Sequence, residues 1–126
     1  MGRVYFCPFQ AVAVTAAQDL FEMLAGTNNG IRLLRLQISQ LSDTDSEQIR
    51  VSIRRVTGAP TSGSGGSTVT PVAVVAGDAA AAFTVEINNT TQLSGGTNTV
   101  LEEIDFNILN GLNWIATPAE WISAAG

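Results

Sequence analysis

Four stretches of the chain carry apolar side chains at every second position. In 31–41, Leu34, Leu36 and Ile38 fall on one side and Leu33, Arg35, Gln37 and Ser39 on the other. In 48–57, Ile49, Val51 and Ile53 alternate with Arg50, Ser52 and Arg54. Phe83, Val85 and Ile87 alternate with Thr84, Glu86 and Asn88, and Ile104, Phe106 and Ile108 with Glu103, Asp105 and Asn107. A period of two is that of a pleated strand with one buried face, and it rules out an amphipathic helix over the same residues. Turn-forming clusters separate the runs, among them 26–30 (GTNNG) and Asn110-Gly111. Seven to nine short antiparallel strands are predicted, in an all-β sandwich or jelly roll.

Local chemistry refines this expectation. The alternating runs 31–41 and 48–57, joined by the polar segment 42–47, predict an antiparallel hairpin. Asn110-Gly111 predicts a second one, with 112–116 folding back on 100–108 and Pro118 ending that run. A further short segment is expected at 120–123. Residues 18–24 fit either a helix or a strand, and a strand is preferred because seven residues make a poor helix. Residues 3–9 read as a strand in which Pro8 argues for an edge position or an early bend, and 11–17 as a continuation with Val12 and Val14 on one face of a strand. Residues 69–75 are expected to be extended. Asp78 reads as the cap of a single helical turn at 79–82.

The middle of the chain departs from all of this. Gly58–Pro71 (GAPTSGSGGSTVTP) is uncharged and has only Ala59 and Val69 as apolar residues. Such a composition ordinarily marks a linker between domains. The flanks, about 57 and 55 residues long, are small for separate cores, because small domains bury too little surface. One domain over 1–126 is expected, with 58–71 as a long loop or extended arm lying on a neighbouring subunit.

Charge and composition narrow the function. The net charge is −5 and the basic residues are Arg3, Arg32, Arg35, Arg50, Arg54 and Arg55, with no Lys and no His. Six scattered Arg do not make the dense basic face that neutralises phosphates, so nucleic acid is not expected as a ligand. Without His or Lys the commonest general base and the amine nucleophile are missing, and the abundant Ser and Thr have nothing to activate them. No catalytic set, metal site or cofactor is expected. Cys7 is the only cysteine, which excludes an internal disulfide and a cysteine-based zinc site. The opening MGRVYFCPF contains no apolar run long enough for a signal peptide or a membrane span, and a soluble protein made in a reducing cytoplasm is expected. Asp43, Asp45 and Glu47 begin like a calcium loop, but Gln48 and Arg54 stand where Gly and Glu are needed, so they read as a solvated turn.

The basic residues of the expected hairpin are more informative. Arg35, Arg50 and Arg54 project to one outward face, where like charges repel across strands. Either Glu86, Glu103 and Asp105 neutralise them within the fold, or they reach carboxylates on another subunit through bidentate pairing.

Three stretches together carry a resemblance. They are AVAVTAAQDLFEMLAG, RVTGAPTSGSGGSTVTPVAV, and DAAAAFTVEINNTT with GLNWIATPAEW further on. They resemble the capsid decoration (cement) proteins of tailed phages and prophages, with SGSGGST and EINNTT the more specific parts. The resemblance implies a jelly-roll homotrimer on the outer surface of a virion, bound to the major capsid protein, with no enzymatic activity and no cofactor. The candidate interface residues are Arg35, Arg50 and Arg54, from their shared outward face, and the loop residues Thr61, Ser62, Gly63, Ser64, Gly65, Gly66 and Ser67, from their composition, as an arm lying on a neighbouring subunit or the capsid. Related chains continue past the segment matching 118–124 with further closing strands. The competing class is a β-sandwich binding module, carbohydrate-binding or from a fibre tip, which would expose Tyr5, Trp114 and Trp121 for stacking.

Overall fold

The computed structural model describes residues 2–9, 13–41, 44–117 and 122–124, the last three as backbone. Eleven strands form among them, all paired antiparallel, and no helix. They are β1 (Tyr5–Phe6), β2 (Asp19–Leu24), β3 (Ile31–Leu33), β4 (Arg35–Ile38), β5 (Gln48–Thr57), β6 (Ser67–Val69), β7 (Val72–Ala73), β8 (Thr84–Asn89), β9 (Thr97–Asn107), β10 (Leu112–Ile115) and β11 (Ile122–Ala124). The all-β antiparallel fold of the sandwich class is as the alternation predicts. Residues 18–24 hold a strand, as preferred.

The pairing is nested. β3 pairs with β11, β4 with β10, β5 with β9, and β6 with β8. The chain therefore runs as one long antiparallel ribbon that closes around residues 70–83. β2 adds to the free side of β8, and β1 pairs with β7.

Both expected hairpins are corrected by this order. β4 and β5 lie in different pairs, and β5 takes β9 instead. Charge explains the choice, since pairing β4 with β5 would gather Arg35, Arg50 and Arg54 on one face. β9 offers acids at the matching positions, with Arg50 opposite Asp105 and Ser52 opposite Glu103. Its apolar face matches as well, through Ile49 with Phe106 and Val51 with Ile104. The second hairpin fails at Gly111, whose φ of 69° turns the chain away from β9. A Cβ there would lie 2.8 Å from the Ile38 carbonyl oxygen, so the turn delivers β10 onto β4, with Trp114 opposite Leu36.

Three smaller expectations also change. The run 31–41 breaks at Leu34, whose carbonyl accepts the Ala116 N–H at 2.9 Å, so Ile31 and Leu33 face inward before the break and Leu36 and Ile38 after it. Residues 79–82 do not form a helical turn. Asp78 instead closes a turn onto the Val75 carbonyl and faces Arg3 at 3.7 Å. Residues 13–17 form no strand, and Val14 is exposed. Val12, Asp43, Pro118, Glu120 and Trp121 lie outside the described residues.

The inner positions of β5 and β8, with Ala116 just after β10, supply the core. Among the described residues the buried apolar side chains are Val51, Ile53, Val85 and Ala116. Tyr5 packs edge-on against Phe83 at 5.6 Å, and Phe9 tilts against Phe21 at 5.3 Å. Cys7 is half-buried, and burial pushes its thiol pKa up.

Candidate functional site: a carboxyl-clamped loop crossing

The Gly/Ser stretch is held along its own chain, which changes the reading of it as an arm reaching outward. Thr61 and Ser94 exchange backbone hydrogen bonds at 2.8 and 3.0 Å, and Ser64 and Thr91 exchange another pair at 3.0 Å. The stretch then enters β6, whose Ser67, Thr68 and Val69 pair with Ile87, Glu86 and Val85.

Its partner is a second loop of related sequence. Residues 61–67 read TSGSGGS and residues 91–97 read TQLSGGT. Thr, Ser, Gly and Gly recur at corresponding positions, and the last residue is a hydroxyl residue in both. The bridges link the first position of each copy to the fourth of the other, so a local two-fold relates the two loops. Each loop also carries the chain between the same two sheets, from β5 to β6 and from β8 to β9. The first glycine of each pair matches in conformation, with φ of 86° at Gly65 and 73° at Gly95, while the second differs, Gly96 being left-handed at 64° and Gly66 not.

Two acids on β2 clamp the crossing with the same symmetry. Glu22 accepts the Gly63 N–H at 2.9 Å and the Ser62 hydroxyl at 2.7 Å. Asp19 accepts the Leu93 N–H at 2.7 Å and the Gln92 amide at 3.4 Å. Each carboxyl thus takes the backbone N–H of the third loop position and the side chain of the second. Bonds of this kind to carboxylates are among the stronger ones. Between the two acids, Asn88 sits in the left-handed region at φ 58°, interrupting the β2–β8 ladder, and accepts a hydrogen bond from the Gln18 amide.

Asn89 is the centre of the assembly and is 2% exposed. Its amide nitrogen donates to Glu22 at 3.0 Å and to Glu86 at 2.9 Å, using both of its hydrogens. Glu22 and Glu86 face each other across β2 and β8, and the Ser62 hydroxyl also reaches Glu86, at 3.1 Å. Two carboxyls side by side repel, and the shared donors offset that cost. Packing leaves no slack, because a Cβ on Gly66 would collide with the Ile87 carbonyl oxygen and come within 2.6 Å of the Asn89 Oδ1.

The expected Arg face is divided by the strand order. Arg50 is neutralised inside the fold by Asp105, with bonds of 2.7 and 3.0 Å from Nε and Nη2, and it lies 3.9 Å from Glu103. These bonds hold the Asp105 carboxyl below its ordinary pKa and raise that of Arg50. Arg35 lies on β4 opposite Ile115, and Arg54 lies opposite Val100 at a bulge in the β5–β9 ladder. Among the described residues neither has an ion-pair partner, and both are exposed. Glu86 is committed to the crossing.

The Asp105 titration gives a direct check. A depressed carboxyl contributes stability above its unfolded pKa, and that contribution disappears as the pH falls through the folded value. By carbon-detected NMR, Asp105 is expected to titrate below the ordinary aspartate value of about 3.9. In Arg50→Gln it should return to that value. An unmoved midpoint would remove the ion pair from solution. Both groups are fully exposed, so the effect on overall stability is expected to be slight.

The sequence reading found Thr61–Ser67 but missed Asp19, Glu22, Asn89 and the second loop. The missed signal was the recurrence of Thr-x-x-Ser-Gly-Gly followed by Ser or Thr. No protein-family model, curated protein or solved structure matches the chain.

Proposed function

We propose that this chain is a structural decoration protein, bound as a homotrimer to the major capsid protein on the outer surface of a phage head. The observation that carries the reading is that SGSGGST and EINNTT, the two most specific stretches of the resemblance, meet in one clamped crossing. Such a crossing of backbone N–H groups and carboxyls does mechanical work, stiffening a shell-bound subunit. The nested ribbon supports a jelly roll, since that is the pairing order of a long hairpin rolled into two sheets. A trimer engages a symmetric site through three weak contacts at once, and binding only the expanded shell stabilises it by mass action. Arg35 and Arg54 are free to pair with shell carboxylates.

Of the three aromatics the sugar-binding alternative would expose, the two described ones, Tyr5 and Trp114, give it no support. Tyr5 is packed on Phe83 and donates its hydroxyl hydrogen to the Ala79 carbonyl at 2.9 Å, and Trp114 is half-buried.

Sedimentation with undecorated phage heads tests the reading. The protein should sediment with expanded heads and remain in the supernatant with unexpanded ones. Arg35→Glu with Arg54→Glu should release it. Failure to sediment with either form of head would overturn the proposal. Deleting residues 61–67 does not isolate shell binding, because it also removes the crossing.

A further inference from the structure

We infer that Asn110 is a covalent modification site, at which the side-chain amide closes onto the Gly111 nitrogen and is converted to aspartate and isoaspartate. The chain has two Asn-Gly steps, Asn29-Gly30 and Asn110-Gly111, with both asparagines exposed. A following glycine favours this reaction, because no Cβ obstructs its nitrogen and its backbone moves freely. The structure separates the two steps. Asn29 Nδ2 donates to the Thr27 carbonyl at 3.0 Å, which holds that side chain back over its own turn. Among the described residues the Asn110 side chain makes no hydrogen bond, and the Gly111 N–H takes no part in the turn's backbone bonds. The turn around them is nevertheless fixed. The Asn110 N–H donates to the Asn107 carbonyl at 3.0 Å, and the Leu109 N–H to the Asn107 Oδ1 at 3.0 Å. A free amide is thus held next to an unbonded nitrogen.

The chemistry needs only water. The Gly111 nitrogen attacks Cγ of Asn110, the Cγ–Nδ2 bond breaks, and Nδ2 leaves as ammonia with the proton from Gly111. Water then opens the resulting succinimide. Cleavage between the nitrogen and Cγ gives aspartate, and cleavage between the nitrogen and the backbone carbonyl carbon gives isoaspartate. Isoaspartate routes the main chain through the side-chain methylene just before Gly111. That glycine has φ 69° and a would-be Cβ 2.8 Å from the Ile38 carbonyl oxygen, and Leu112 pairs with Ile38 directly after it. A lengthened turn cannot keep that fit, so the β4–β10 pairing loosens from this end. Either product also puts a negative charge on the uncharged turn 107–111.

Ageing the full-length protein at neutral pH, with fragmentation mass spectrometry to locate each amide-to-acid conversion, tests this. One hydrogen bond of about 1 kcal/mol corresponds to about fivefold in rate, so Asn110 is expected to convert about fivefold faster than Asn29. In urea-unfolded protein the Asn29 bond is gone and the two rates should converge. Equal rates in the folded protein, faster conversion at Asn29, or an Asn110 that stays an amide would overturn the inference. Aged wild type is expected to show a lower urea midpoint than fresh protein. Aged Asn110→Gln, which has no side-chain hydrogen bond to lose, should keep its own midpoint. An equal fall in both would overturn the link to the β4–β10 pairing.

Discussion

Asn89→Asp is expected to destabilise the protein severely at neutral pH. The native amide is buried and spends both hydrogens on Glu22 and Glu86. A hydrogen bond to a charged group contributes about 1.5–3 kcal/mol net, so the two lost donors alone remove about 3–6 kcal/mol. The new carboxyl also adds a third negative group beside two others. A small domain has only about 5–15 kcal/mol to lose. Asn89→Leu, which removes the donors without adding charge, should stay folded with an intermediate loss. The pH dependence separates the two effects. Neighbouring carboxyls raise the folded pKa of the introduced carboxyl above its unfolded value. The folded state then binds more protons, so Asn89→Asp should regain stability as pH falls through that raised value, while Asn89→Leu should show no such recovery. Urea midpoints at pH 7 and pH 5 read both. Equal midpoints for Asn89→Asp and the wild type at pH 7 would mean the amide does not bridge the two acids.

Gly66→Ala is expected to have the second largest effect, by a steric route. The methyl would strike the Ile87 carbonyl oxygen and approach the Asn88 carbonyl carbon to 2.8 Å. Those neighbours are backbone of β8, paired on both sides, and cannot swing away as a side chain would. Overpacking of this kind costs about 3 kcal/mol, which lowers the melting temperature by about 10 °C. Gly77→Ala is the matched control. Gly77 has φ 94° and nothing within 4 Å of the added methyl, so only backbone strain of about 1–2 kcal/mol is expected there. A Gly66→Ala variant no less stable than Gly77→Ala would contradict the close approach of the loop to β8.

Strand positions were readable in the sequence because burial of one face writes itself into the alternation. Ile49, Val51, Ile53 and Val85 face inward as their spacing predicts. Strand partners were not readable in the same way, because short loops suggested neighbours that the fold does not use. The acids at Glu103 and Asp105 already favoured β9 for β5, since a row of Arg needs them, but the short 42–47 loop outweighed that hint. The crossing was hidden for another reason. Asp19, Glu22 and Asn89 are polar residues at strand positions, where a solvated face is the ordinary reading. Only their meeting with the two loops gives them a task. The Gly/Ser composition of 58–71 signals a loop, but not that its hydrogen bonds are satisfied by a second loop of the same pattern.

Amide hydrogen exchange at Gly63 and Leu93 tests the two-fold crossing most directly. Both are loop residues whose N–H groups would exchange freely in an open loop. Bound to Glu22 and Asp19, both are expected to be protected, and each protection should depend on its own acid. Glu22→Gln should speed exchange at Gly63 and leave Leu93 slow, and Asp19→Asn should do the reverse. Free exchange at both positions in the wild-type protein would contradict the crossing and the stiff subunit built on it.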